Sequence, residues 1–295
     1  MEPSMYLRAN VLERDYNKHN NYQMKKIFKF LLVSILFASC SDDSGTNKNT
    51  EDAANLPQRI RVENSSSSAS IVNHTFDYDG LKIKTWDREF MSGTSSYVEK
   101  SRHEFVYTNN LITQINHYSG SNLVPLTLMD EYNVYHYNSD SKLIKEERKS
   151  RSTGEVIFTV LYSHETENNN DVIKISRPDS PGMQKLTYLS DSNMKYEGID
   201  AGNFVAFTAN WTFDTEEINP LSKITGIQNL YIVNYDNGTD PTFYKYNTVS
   251  TNSITPGANP ASVQYDYEYI DGRINTIIVD DSRFTLPFVQ TYYYD

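Results

Sequence analysis

The feature that most restricts what this chain can become is a motif that recurs along it: an aromatic-alternating stretch, a polar turn, then a second run of Leu, Ile or Val. Its sharpest copy reads Tyr265-Asp-Tyr267-Glu-Tyr269-Ile-Asp271-Gly272-Arg273-Ile274-Asn-Thr-Ile277-Ile278-Val279. Period-two alternation is the strand pattern, and an Asp-Gly pair supplies the positive φ angles of a tight hairpin turn. Further copies are Phe76-Asp-Tyr78-Asp79-Gly80-Leu81-Lys-Ile83, Phe105-Val-Tyr107-Thr-Asn109-Asn110-Leu111-Ile112 and Tyr135-His-Tyr137-Asn-Ser-Asp140-Ser-Lys-Leu143-Ile144. Weaker ones lie around Leu161 to Ile175, Leu186 to Tyr196 and Trp211 to Ile227. Successive copies start about 25 to 30 residues apart, the spacing of a repeat architecture.

A lone hairpin is marginally stable in water, so the units must pair with one another. The expectation is an all-β fold: an antiparallel β-meander of repeated hairpins, about 12 to 16 strands, rolled into an open or closed barrel-like sheet because long twisted sheets curl and bare edges aggregate. The 23 Tyr and 13 Phe, against 12 Gly and 10 Pro, suit such pleated surfaces.

Ahead of the repeats the sequence changes character. From Met24 it reads Met-Lys-Lys-Ile-Phe-Lys, then the apolar run Phe30 to Phe37, then Ala38-Ser39-Cys40. This is the order of a secretory signal, with a run too short for a bilayer span. Residues 24–39 are read as a signal peptide, residues 1–23 as an upstream extension with translation expected from Met24, residues 40–57 as a flexible tether, and residues 58–295 as a single β-repeat domain. The tether is polar and lacks apolar periodicity.

Leu36-Phe37-Ala38-Ser39-Cys40 resembles the lipobox of bacterial lipoproteins, with Phe37 where Leu is usual. The resemblance implies cleavage after Ser39 and acylation of Cys40. Two or more acyl chains, at about 0.8 kcal/mol per buried methylene, give lasting attachment. Cys40 is the one cysteine, so an intramolecular disulfide is excluded. Ser41, Asp42 and Asp43 behind it resemble the acidic export signal of Bacteroidota lipoproteins bound for the outer face of the outer membrane. The expected location is therefore the outer membrane, lipid-anchored and facing the exterior, with the membrane as a partner through the lipid on Cys40.

Charge narrows the remaining partners. Without residues 1–39, which carry six basic and three acidic side chains, the chain keeps 21 basic and 35 acidic residues, a net −14. Phosphate backbones are repelled by such a surface, so nucleic acid is excluded. Insertion of the sheet itself into a bilayer is not expected either, because strands such as Lys142-Leu-Ile-Lys-Glu-Glu-Arg148 place charge where lipid-facing apolar residues would be needed.

Catalytic motifs are wanting. His103-Glu104 and His164-Glu165 open like a zinc-protease motif, but Tyr107 and Asn168 stand where the second histidine belongs. Gly93-Thr-Ser95-Ser-Tyr97 fails as a nucleophile elbow at its last position. His74 and His103 occupy matching places in two repeats and are expected on one side of the sheet, as strand histidines rather than ligands. Asp236-Asn-Gly-Thr-Asp240 carries calcium-type oxygens without the distal acid and reads as a turn. No metal or cofactor is expected.

Trp86 and Trp211 are the candidate ligand-binding residues, as platforms for a sugar ring or another apolar ligand. The recurring Tyr-x-Tyr, turn, Gly-Arg/Lys-Leu/Ile pattern resembles YD-type repeats and, more closely, an uncharacterised family of Bacteroidota lipoproteins described as having a porin-like fold. That resemblance implies a rolled antiparallel sheet and brings no catalytic residues. The expected role is a non-enzymatic binding or scaffold module, its partner a glycan or another envelope protein. The alternatives are a glycan-directed hydrolase with an Asp/Glu pair among the 35 acids, and a purely structural envelope protein.

Overall fold

The computed structural model describes residues 53–64, 70–93, 95–230 and 244–294. Cys40, Ser41, Asp42, Asp43, residues 1–39 and Asp236 to Asp240 lie outside the described residues.

Sixteen antiparallel strands form one closed barrel. In chain order they are β1 (Arg59–Asn64), β2 (Ser70–Asp79), β3 (Lys82–Ser92), β4 (Val98–Thr108), β5 (Leu111–Ser121), β6 (Thr127–Tyr137), β7 (Leu143–Ser150), β8 (Val156–Glu167), β9 (Asn170–Arg177), β10 (Ser180–Ser190), β11 (Asn193–Ile199), β12 (Val205–Ile218), β13 (Tyr246–Ile254), β14 (Ala261–Ile270), β15 (Arg273–Asp281) and β16 (Phe288–Tyr293). Each pairs with its sequence neighbours, and β1 pairs with β16 to close the ring. The expected meander is thus present, and of the two expected forms it takes the closed one. No helix among the described residues is long and apolar enough to cross a membrane.

The two ends of the barrel differ. The tight turns of the repeats gather at one end, called here the turn end, and the connections between repeats at the other, the loop end. At the turn end Asp271 and Gly272 adopt φ of 51° and 74°, as their hairpin requires. In four repeats the ladder bulges just before the turn, between Asp77 and Tyr78, Val106 and Tyr107, His136 and Tyr137, and Glu268 and Tyr269. The bulge falls each time at an aromatic of the motif, and a bulge bends and twists its strand, which helps a sheet to curl.

Hydroxyls explain why so many of these aromatics are tyrosine. Tyr78 donates to the Pro57 carbonyl at 3.0 Å, Tyr137 to Ile112 at 2.7 Å and Tyr267 to Thr248 at 2.9 Å. Each bond runs back to the preceding strand or its lead-in, so a motif tyrosine fastens its own hairpin to the one before.

Side chains alternate cleanly between the two walls. Inward residues form two apolar clusters, a larger one including Ile60, Val72, Phe76, Ile83, Ile112 and Val279, and a smaller one of Ile173, Leu186, Met194, Tyr196, Phe213 and Tyr246. Outward residues form ion pairs, as in Arg102 with Asp87 at 2.6 and 2.7 Å, Lys100 with Glu89 at 2.6 Å, and Lys195 with Glu197 at 2.6 Å, while the inner wall holds its own, Arg148 with Glu131 at 3.5 Å and Arg283 with Asp281. Arg or Lys facing hydrocarbon at mid-bilayer costs about 2–4 kcal/mol each, so these outward ion pairs suit water better than lipid.

One expected hairpin is absent. Around Trp211 to Ile227 only the first half is a strand, β12. Pro220, which cannot donate to a ladder, starts a 3-10 turn over Pro220–Lys223 that is capped by Asn219, whose Oδ1 accepts from the Leu221 N–H at 3.0 Å. A second 3-10 turn follows at Ile227–Leu230. Leu221, Ile224, Ile227 and Leu230 are all buried in the larger cluster. This segment caps the turn end: Thr225 N–H donates to the Leu81 carbonyl at 2.8 Å and the Asn229 amide to the Ser141 carbonyl at 2.9 Å. Leu56, fully buried, and the contact of Arg273 Nε with Asn55 Oδ1 at 3.2 Å add the lead-in to β1 to the same cap.

Candidate functional site

A belt of polar side chains crosses the inner wall from β2 to β8. The Trp86 indole N–H donates to His74 Nδ1 at 3.0 Å, and the Trp86 ring lies against both His74 and His103, with centroids 5.6 and 5.2 Å away. His103 and His117 meet edge to face with their Nδ1 atoms 2.8 Å apart. His117 Nε2 lies 3.3 Å from Asn133 Oδ1, Asn133 Nδ2 donates to Glu146 Oε1 at 2.7 Å, and the Tyr162 hydroxyl donates to Glu146 Oε2 at 3.1 Å.

The acceptors set the protons. Glu146, when ionised, only accepts, so the Asn133 amide must point its NH2 at it and its oxygen at His117. His117 then carries its proton on Nε2 and accepts at Nδ1, which leaves His103 to donate from Nδ1. Both imidazoles are neutral in this arrangement, and their surroundings keep them so. Burial pushes the His103 pKa down to about 4, with His117 and Arg88 acting in the same direction. Burial also lowers that of His117. Glu146 shifts the other way: burial raises its pKa, against the hydrogen bond from Tyr162, the charge of Arg148 and the bond from Asn133.

The histidines expected on one side of the sheet do share the inner wall. The indole between them, and the bond of His103 to His117, give them hydrogen-bonding roles. Glu104 and Glu165 fall on the opposite face from the histidines before them: Glu104 accepts from Asn116 at 2.9 Å, whereas His164 lies 2.7 Å from the Leu143 carbonyl. Among the described residues no group of three or more His, Cys, Asp or Glu could hold a metal ion.

Trp86 and Trp211 are both half-buried on the inner wall, on different sides of the barrel. Trp86 stacks on Phe76 at 6.1 Å in the larger cluster, and Trp211 meets Tyr196 edge-on at 6.1 Å in the smaller one. Inner carboxylates are similarly engaged. Both Glu146 oxygens take donors, and Asp281 is gripped by Arg283 through Nε at 2.9 and 3.1 Å.

The loop end holds what sequence reasoning missed. A cavity of about 490 Å³ opens there between β8 and β12, lined by Phe158, Val160, Ile175, Met183, Ile199 and Phe207, with Arg177, Gln184 and Asp200 among its polar groups. Gly198 makes room for one wall: a Cβ there would lie 2.2 Å from the Phe207 ring, so only glycine lets that ring lie flat on β11. Phe158 is flanked by two guanidiniums, with Arg177 at 4.0 Å and Arg148 at 5.6 Å from its centroid. Arg177 also holds Asp179 through two bonds, at 3.0 and 2.8 Å.

No family model matches the sequence, and none of the curated proteins does. Among solved structures the chain is similar to a porin-like protein from Bacteroides uniformis ATCC 8492, at 9% identity over 81% of this chain and 98% of that one, with a TM-score of 0.49. It is also similar to a porin-like protein from Bacteroides vulgatus ATCC 8482, at 11% identity over 82% of this chain and 99% of that one, with a TM-score of 0.46.

Proposed function

We propose that this chain is a lipid-anchored envelope protein whose closed barrel stands in water outside the bilayer and serves as a binding or scaffold module. The observation that carries the reading is the outer wall with its ion pairs, set over an inner wall that holds the two apolar clusters and the polar belt. A barrel with such an outer wall has no lipid-facing band, so membrane attachment falls to Cys40, for which the lipobox resemblance speaks. Ser41, Asp42 and Asp43 direct it to the outer face of the outer membrane. A binding role is favoured over a structural one by the loop-end cavity, and over hydrolysis by the engagement of Glu146 and Asp281 with donors of the protein itself.

The test is Cys40→Ala in the full chain. The variant is expected to lose metabolic labelling by fatty acid and to move from the membrane to the aqueous fraction with its fold unchanged. A variant that remains membrane-bound under carbonate washing would overturn the reading.

A further inference from the structure

We infer that the loop-end cavity is a binding site for a single-chain amphiphile, with an acyl chain along its apolar walls and an anionic head at Arg177 and Arg148. The inference rests on the proposed binding role and names what is bound.

Three observations meet here. The cavity of about 490 Å³ falls in the size range of small-molecule sites, roughly 300–1,000 Å³. Hydrocarbon and aromatic surface makes up the larger share of its walls, with Ser176, Arg177, Ser180, Gln184 and Asp200 as the polar part.

Exposed apolar residues flank the lining in sequence. Val156 and Ile157 directly precede Phe158, and Phe204 and Val205 directly precede Ala206 and Phe207. All four are exposed, Phe204 at 73%. These exposed apolar residues adjoin in sequence the lining on both β8 and β12, without themselves lining the cavity.

Charge supplies the head. Two guanidiniums bracket the Phe158 ring at this mouth. The acid that lines the cavity, Asp200, has its Oδ1 occupied by the N–H groups of Gly202 and Phe204, at 2.8 and 3.0 Å. Asp179 and Glu131 hold Arg177 and Arg148 at rest, Glu131 at 3.5 Å. A ligand carboxylate exchanges with the exposed Asp179 on Arg177, at small cost because an exposed ion pair is worth about 0–1 kcal/mol.

The experiment uses the full chain carrying Cys40→Ala, free of lipid of its own. Anilinonaphthalene sulfonate, an aromatic anion, is expected to bind saturably at one site and to be displaced by dodecanoate, with dodecanol about tenfold weaker. Arg177→Gln is expected to bring dodecanoate to the level of dodecanol. Ile175→Trp, or Ala206→Trp at the more exposed rim, fills the cavity and is expected to abolish both. Failure of dodecanoate to displace the dye, or displacement by an oligosaccharide instead, would overturn the inference, as would unaltered binding in a folded Ala206→Trp chain. Membrane release on losing Cys40 tests the anchor and dye displacement tests the cavity, so either can fail alone.

Discussion

His103 and His117 face each other across β4 and β5 with Nδ1 atoms 2.8 Å apart, one donating and the other accepting. That bond needs the accepting ring to be neutral, and burial keeps His103 neutral as well. The unfolded chain takes up protons near pH 6.5, whereas folded His103 waits until about pH 4. Between those values the unfolded state binds more protons, so stability rises with pH across the window and the contribution is complete above pH 6.5. Urea unfolding measured from pH 4 to 7 should show this slope, and His103→Leu should flatten it. A slope untouched by the substitution would remove His103 as its source.

Asn133 joins the histidine pair to Glu146. Replacing it by Leu strands the His117 N–H and one Glu146 oxygen together, and a buried polar group left without a partner costs about 1–3 kcal/mol. Asn133→Leu should therefore lower the urea midpoint clearly at pH 7. A midpoint equal to that of the unaltered chain would mean the belt adds nothing to stability.

The motif tyrosines make a separate prediction. Tyr137→Phe keeps the ring but deletes the donor to the Ile112 carbonyl, at a cost of about 1 kcal/mol. Tyr293, whose ring lies 3.8 Å under Arg59 on the outer wall, serves as the control: Tyr293→Phe should cost less. Thermal melts of the two variants decide the order.

Two glycines with nearly the same backbone should respond differently to alanine. Gly226 and Gly257 have φ of 77° and 81°, and a left-handed residue costs about 1–2 kcal/mol in either place. At Gly226 an added Cβ would also lie 2.7 Å from the Asn110 carbonyl, whereas at Gly257 it meets open space. Gly226→Ala should be the more damaging, by loosening the cap from the turn between β4 and β5. Equal melting temperatures would show that the segment yields without cost.

The hairpin of Tyr265 to Val279 could be read from sequence because alternation and Asp271-Gly272 act locally, and β14 and β15 lie where they point. The segment after Trp211 could not. Leu221, Ile224, Ile227 and Leu230 are as apolar as a strand, and what makes them a cap is the barrel end beneath them, which no local pattern encodes.

The same limit applies to the sites. Placing His74 and His103 on one face needed only the repeat, but joining His117, Asn133 and Glu146 to them needed the register of three strand pairs. The cavity arises from strands drawn from Val156 to Ile218, and the signal on offer was Phe204 and Val205 standing together beside a turn.

Ring closure carries a consequence for synthesis and export. The seam joins Arg59–Asn64 to Phe288–Tyr293, so the first strand waits for a partner that emerges more than 220 residues later. Until then the sheet has two raw margins able to recruit strands from other molecules. Such distant pairing is slow to form. Deleting Phe288–Tyr293 should accordingly turn a well-behaved product into an aggregating one, out of proportion to the contacts removed.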